Sequence, residues 1–351
     1  MADNVITVER LAKTYRRRFR TPVEALRGVS FEVARGEIFG LLGPNGAGKT
    51  TILKLLLGIA KPTAGAAIVL GESIGGVGYR RRIGYLPEGH QFPEYLTAAQ
   101  ILDFTGAMRG TSKADRAARI PGLLKQVGMD LHADKKVREF SKGMKQRTGL
   151  AAALINSPEI VFLDEPTDGV DPVGRRDIRT MIVDLCRKQN VTVILNSHML
   201  SEVEMVADRV AILNQGEILK IGKVDDIIDA GEKASRLYHV TMTIPQGEKV
   251  SAPTVAAFGT DFKKTESGFD IRIATPVELN KMIDYLRGQK VVIQGIVPER
   301  ATLEDVFMSL IGAIQSGSAT GQGGGAAPAG ALPAATEPKA PAAEAGKEAN
   351  W

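Results

Sequence analysis

Hydrophobic and polar positions along the chain follow two periodicities, and the places where one gives way to the other mark its organisation. Between Val5 and Tyr15, Ile6 and Val8 alternate with Thr7 and Glu9, the period of two that predicts an amphipathic strand. Arg16-Arg17-Arg18-Phe19-Arg20 interrupts it before Val23–Val33 resumes an extended pattern, which predicts a hairpin closed by a short basic loop. Such an arginine run serves either as a solvated face or as a contact for anionic lipid headgroups. The apolar run Ile38-Phe39-Gly40-Leu41-Leu42 predicts a buried strand, Ile52–Leu57 a helix, and Ala66–Leu70 another short strand. From about Glu88 to Pro158 the spacing turns helical, with Leu96, Ile101, Leu102, Phe104, Leu123, Leu124, Val127 and Ala151–Ile155 in register. After it, Ile160–Leu163 and Val191–Leu195 are continuous apolar runs of the kind that parallel strands need, with Asp177–Gln189 as their crossover helix. Arg209–Leu213 and Ile218–Ile221 form a last hairpin through Asn214-Gln215-Gly216-Glu217.

Around Asp229–Ala234 the pattern breaks and a second unit begins. Tyr238, Val240, Met242 and Ile244 alternate with polar or small residues, and Phe269, Ile271 and Ile273 do so again. Pro276–Gly288 reads as a helix and Val291–Val297 as a strand. Thr302–Ile314 reads as a helix, with Thr302 and Asp305 as a capping-box-like start. The expected organisation is a first domain over 1–230 with a helical subdomain at about 88–158, and a small α+β domain over 231–315. A Gly/Ala/Pro-rich tail over 316–351 has too few large apolar residues to offset its ordering entropy and is expected to be disordered.

Composition changes this picture little. A chain of 351 residues, 44% hydrophobic and 24% charged, is an ordinary globular length and mixture for two domains. The net charge of +5 gives no reason to expect a nucleic-acid partner. The single cysteine, Cys186, excludes an internal disulfide and reads as a core or helix residue. Asp3 and Glu9 without a long apolar region argue against a signal peptide. No apolar run approaches the 18 or so residues of a bilayer span, Gly149–Ile155 being among the longest. A membrane role would therefore come through a partner.

The chemistry begins at Gly43-Pro44-Asn45-Gly46-Ala47-Gly48-Lys49-Thr50-Thr51, which fits the P-loop pattern G-x-x-x-x-G-K-[ST] between a buried strand and a helix. In that context glycines let backbone N–H groups approach phosphates, and the helix N-terminus adds partial positive charge. Lys49 would reach the β/γ-phosphates and the Thr50 hydroxyl would hold Mg²⁺; a Gly-rich turn that binds nothing is the bland alternative. Downstream, Ile160-Val161-Phe162-Leu163 ends in Asp164-Glu165. At the carboxyl end of a strand Asp164 can bind Mg²⁺, and Glu165, one residue on, can polarise a water for attack on the γ-phosphate.

With these motifs the chain resembles the ATP-binding subunits of ABC transporters over about residues 4–228. Phe140-Ser141-Lys142-Gly143-Met144-Lys145-Gln146-Arg147 looks like the signature sequence of that family, opening a helix. The resemblance implies a P-loop NTPase of the α/β class, with a RecA-like core, an antiparallel β subdomain and an inserted helical subdomain. It further implies that Ser141 and Gly143 act in trans on ATP held by the P-loop of a second cassette, in a head-to-tail homodimer or heterodimer. Tyr15 sits where an aromatic stacks on adenine, although a strand tyrosine also serves as plain packing. Asp171, in Glu-Pro-Thr-Asp-Gly-Val-Asp, matches the dimer-bridging loop, and His198 matches the switch histidine that contacts the γ-phosphate. Glu88 stands where the family usually carries Gln, as a candidate Mg²⁺ or water ligand; Lys142 and Met144 replace Gly and Gln in the signature. These departures resemble the branch serving ABC-2-type exporters, as does the pattern Thr302-Leu303-Glu304-Asp305-Val306-Phe307. The implied function is an ATPase, loaded with ATP and Mg²⁺, that drives a separate integral-membrane permease from its cytoplasmic face. A soluble ABC ATPase acting on ribosomes or DNA, or a regulatory sensor that uses ATP closure without transport, is the alternative.

Overall fold

A computed structural model of the chain describes residues 3–16, 21–232, 236–245, 250–299 and 301–317. The basic run Arg17–Arg20 and the tail from position 318 lie outside the described residues. The chain divides into two compact units, one ending at Ile227 and the other beginning at Ile228.

In the first unit, β1 (Asn4–Tyr15) and β2 (Val23–Ala34) form the expected hairpin. Their inward residues Ile6, Val8, Leu11, Leu26, Val29, Phe31 and Val33 are buried, in a period of two that slips by one residue where the register shifts near Arg10 and Gly28. The strand β3 (Ile38–Leu42) is buried along its whole length and feeds α1 (Lys49–Leu56). Next come β4 (Ala64–Val69) and β5 (Glu72–Ser73), which join the hairpin in an antiparallel sheet ordered β2-β1-β4-β5. Next is β6 (Ile83–Leu86), a strand with no counterpart in the hydrophobic pattern. Three helices follow, α2 (Ala98–Met108), α3 (Lys113–Gln126) and α4 (Lys142–Leu154). The chain then returns as β7 (Ile160–Asp164), which pairs with β6 in parallel, so the helices form one long insertion between neighbouring strands.

The helix α5 (Pro172–Gln189) starts earlier than the apolar spacing indicates, because Asp171 caps it and Pro172 pre-sets its first turn. Beyond it are β8 (Thr192–Asn196), α6 (Leu200–Glu204), β9 (Arg209–Asn214) and β10 (Glu217–Lys223). The hairpin turn between β9 and β10 places Gln215 and Gly216 at φ 46° and 83°, the two positive values of a type I′ turn. The second sheet has the order β10-β9-β3-β8-β7-β6, with β9, β3, β8, β7 and β6 parallel to one another and β10 antiparallel to β9. In a parallel sheet the carboxyl ends of the strands share one edge, and there β3, β7 and β8 deliver their following loops.

Gly84 in β6 lets α4 close onto this sheet edge. A Cβ at that position would overlap the carbonyl oxygen of Ala153 and come within 3.3 Å of Pro158 Cγ. Gly84→Ala is therefore expected to destabilise the protein by about 1–3 kcal/mol through overpacking against backbone that cannot rotate away. Urea unfolding measures this, and an unchanged midpoint would refute the packing argument.

The helix α7 (Val224–Glu232) runs across the boundary between the units. The second unit holds β11 (Arg236–Thr243), α8 (Ala252–Ala256), β12 (Thr260–Lys264), β13 (Gly268–Ile273), α9 (Pro276–Gly288), β14 (Val292–Pro298) and α10 (Leu303–Gly317). Its antiparallel sheet, β12-β13-β11-β14, buries Val240, Met242, Phe269, Ile271 and Ile273 against Val255 of α8 and Met282 and Leu286 of α9. Thr302 and Asp305 make the expected reciprocal cap at the start of α10. That helix runs through Ser316 and Gly317, the first two residues of the expected disordered tail. Once nucleated, a helix gains one hydrogen bond per added residue, so it outlasts its apolar pattern.

Candidate functional site

The loop Gly43–Gly48 leaves the carboxyl end of β3 and turns sharply into α1. Gly48 is the N-cap of α1 at φ 108°, where an L side chain is strained and where a Cβ would lie 2.7 Å from the Ala25 carbonyl oxygen. Beside this loop opens a groove of about 370 Å³. It is lined by Pro44–Thr51, by Val23, Glu24 and Ala25 at the start of β2, and by Glu88, Glu165, Asn196 and His198.

Lys49 is only 6% exposed, and its ammonium donates to the carbonyl oxygens of Gly43 at 2.5 Å and Pro44 at 3.2 Å. Burial depresses its pKa, and the nearby carboxylates of Glu165, Asp164 and Glu88 partly restore it. Strongly anionic phosphates entering the groove would do the same more effectively, because they bring negative charge where the ammonium has lost its water.

Asp164 ends β7 directly beside Asn196, which ends β8. The Asn196 amide nitrogen donates to Asp164 Oδ1. Burial raises the pKa of Asp164; the Asn196 hydrogen bond opposes that shift, and the charges of Glu88 and Glu165 add to it. Asn196 Oδ1 is buried without a partner. Convergent acidic groups, the Thr50 hydroxyl in the groove and an unsatisfied amide oxygen are the hard-oxygen environment that suits Mg²⁺. Among the described residues no group of three or more His, Cys, Asp or Glu side chains could hold an ion unaided. Mg²⁺ is commonly held by one or two carboxylates plus substrate phosphates, so this donor set fits an ion that arrives with a nucleotide.

Glu165 is buried and takes φ 53°, a left-handed conformation that costs a non-glycine residue about 1 kcal/mol or more. The conformation turns its side chain toward the loop after β8. There Oε1 accepts from the His198 backbone N–H at 2.9 Å, and Oε2 accepts from Ser197 Oγ at 3.3 Å and lies 2.9 Å from His198 Nδ1. A proton on Nδ1 leaves Nε2 of a neutral His198 free to serve groups in the groove. The arrangement can hold a water next to a carboxylate base and present an imidazole to a phosphate.

The structure thus brings Pro44–Thr51, Glu88, Asp164, Glu165 and His198 into one place. Tyr15 does not line the groove: it pairs across the hairpin with Val23, whose residue does, and the Lys13 ammonium lies 5.0 Å from its ring centroid. Ser141 and Gly143 also lie outside the groove. Ser141 is exposed at the start of α4, where its Oγ accepts from the Met144 N–H at 3.2 Å. Asp171 is likewise exposed and accepts from the Gly174 N–H at 3.2 Å. Sequence reasoning missed Ser197, Asn196 and Gln146. The first two were signalled only by following a buried strand, and Gln146 only by its place in the signature segment.

A family model described as ABC transporter matches residues 26–168. The ATP-binding protein all4389 of Nostoc sp. is 45% identical over 242 residues, 68% of this chain and 70% of that protein. The bacitracin transport ATP-binding protein BcrA of Bacillus licheniformis is 35% identical over 81% of this chain and 91% of its own length. Among solved structures, the ATP-binding cassette MJ0796, as a post-hydrolysis dimer with ADP and Pi, superposes with a TM-score of 0.57 at 25% identity. That match covers 62% of this chain and 98% of the cassette. No helix among the described residues is long and apolar enough to cross a membrane. Cassettes of this kind bind and hydrolyse ATP, dimerise, and work with membrane permease components. With its P-loop groove, paired acidic residues and signature helix, the chain belongs to the ATP-binding subunits of ABC transporters.

Proposed function

We propose that this subunit binds two ATP molecules at a head-to-tail dimer interface and uses their hydrolysis to drive export through a separately encoded integral-membrane permease. One observation carries the reading. Lys49, Glu165 and His198 converge on the P-loop groove, while Ser141 and Gly143 stand outside it at the exposed N-terminal end of α4. A hydroxyl, an open N–H and a helix N-terminus form an anion site that the chain's own groove does not use, which is what a second subunit would need.

Lys49 and the loop N–H groups bind the β- and γ-phosphates, and Tyr15 stacks on the base. Thr50, Asp164 and Glu88 are the candidate ligands of Mg²⁺, which when bound neutralises charge on the phosphates. Glu165 takes the proton of the attacking water, and His198 orients that water and the γ-phosphate. The catalysis is mainly positioning and electrostatics, since phosphoryl transfer asks for little covalent help. Asp171 lies in the loop that would bridge the two subunits, and hydrolysis reopens the dimer.

Export is favoured by the ABC-2-like departures at Glu88, Lys142 and Met144. It is also favoured by likeness to a Nod factor export protein of Ralstonia nicotianae, 33% identical over 88% of this chain. A methionine import protein of Caulobacter vibrioides, 34% identical over 72% of this chain, shows that cassette likeness alone does not set direction. The test is to purify the tagged chain from detergent-solubilised membranes. A polytopic membrane protein is expected to come with it and to raise its ATPase rate several-fold. Recovery with ribosomes or DNA and no membrane protein would overturn the proposal.

A further inference from the structure

Glu165 is held in a conformation that its own neighbourhood in sequence opposes. Its φ of 53° is left-handed, and it precedes Pro166, which pushes the residue before it toward extended backbone. Relaxation to the extended region would swing the carboxylate away from His198 and Ser197, so other contacts must hold it. Its N–H donates to the Asn196 carbonyl at 2.9 Å, and its carbonyl accepts from the Asp168 N–H at 3.2 Å within the local turn. The remaining tie comes from a distant element. Gln146, on α4 and only 6% exposed, donates from Nε2 to the Glu165 carbonyl at 3.1 Å. Its Oε1 is buried without a partner, so the side chain is kept in the interior for the sake of the one bond its amide donates.

We infer that Gln146 is a positioning residue for Glu165, tying the placement of the water-polarising carboxylate to the position of α4, the helix that also presents Ser141 and Gly143. The inference rests on the reading of Glu165 given above and adds a route by which α4 acts on it. A helix that shifts when a second subunit engages its N-terminus carries Gln146 with it. The Glu165 carbonyl then keeps or loses its only side-chain donor among the described residues. Docking of the partner and readiness of the base would thereby be coupled within one chain.

The experiment compares Gln146→Leu, Gln146→Glu and Glu165→Gln in the full-length chain, measuring kcat, KM for ATP and equilibrium ATP affinity. Gln146→Leu keeps the volume and removes the donor. It is expected to lower kcat about tenfold, with KM and affinity within about twofold. Gln146→Glu can donate only as the protonated acid. Its kcat relative to wild type is expected to rise as pH falls from about 8 to about 6, a recovery that Gln146→Leu cannot show. If Gln146→Leu loses ATP binding altogether, packing is damaged and the pH profile of Gln146→Glu decides. Wild-type kcat in Gln146→Leu, or parallel pH profiles in the two variants, would overturn the inference. If Glu165→Gln instead hydrolyses ATP normally, the reading of Glu165 itself fails, an outcome distinct from failure at Gln146.

Discussion

Glu165→Gln is expected to lower ATP turnover by about 10²–10⁴-fold, the usual contribution of a positioned general base, while leaving ATP bound. The isosteric amide can keep the local geometry. Its oxygen still accepts from the His198 N–H, and its nitrogen faces Ser197 Oγ, which accepts as readily as it donates, and His198 Nδ1, which accepts once the imidazole proton sits on Nε2. The proton acceptor is lost, and the His198 tautomer changes with it. Removing one negative charge close to Lys49 also favours the anionic nucleotide, so affinity should hold or rise. On the proposed cycle, in which hydrolysis reopens a closed pair, the variant with ATP should elute as a dimer where the wild type returns to monomer. Rapid-quench turnover, equilibrium binding of a fluorescent ATP analogue and gel filtration measure the three effects. Normal hydrolysis would remove Glu165 as the base, and loss of binding would show that its role is structural.

The core of the site could be read from sequence because its determinants are local. A P-loop needs a strand, a fixed glycine pattern and a helix in immediate succession, and residues 38–56 supply all three. The same holds for Asp164 and Glu165, which follow a run buried on both faces. What escaped was set by tertiary contacts. The strand β6 is four residues long and contains Gly84, too short and irregular to show a period. Strand β12 lies at the edge of its sheet, where exposed Thr260, Asp261, Lys263 and Lys264 leave Phe262 as its single apolar signal. The left-handed φ of Glu165 has no signature in its own side chain, and the bond from Gln146 spans 19 residues and two elements. Glu88 and His198 meet the groove because parallel strands end on one edge, a consequence of topology that sequence shows only once the strands are ordered.

Lys49→Ala is expected to weaken ATP binding by one to two orders of magnitude, roughly the cost of losing a charge-assisted contact to phosphate. The ammonium is nearly enclosed and tethered to the Gly43 and Pro44 carbonyls, so alanine leaves that place without a charge. At ATP concentrations well below its weakened affinity Lys49→Ala hydrolyses little, and Ser141→Arg should be inactive for a different reason, because a long side chain at the N-cap of α4 obstructs the anion site it would offer to a partner. A head-to-tail pair makes an asymmetric prediction from these two inactive proteins. In a mixed dimer, one composite site joins the mutated P-loop to the mutated signature helix, and the other joins two intact halves. Random pairing makes half the dimers mixed, each with one intact site of two, so activity should return to roughly a quarter of the wild-type rate. If each subunit completed its own site, both would stay broken in every pairing. Mixtures shown by crosslinking to form dimers, yet hydrolysing no ATP, would therefore count against the trans arrangement.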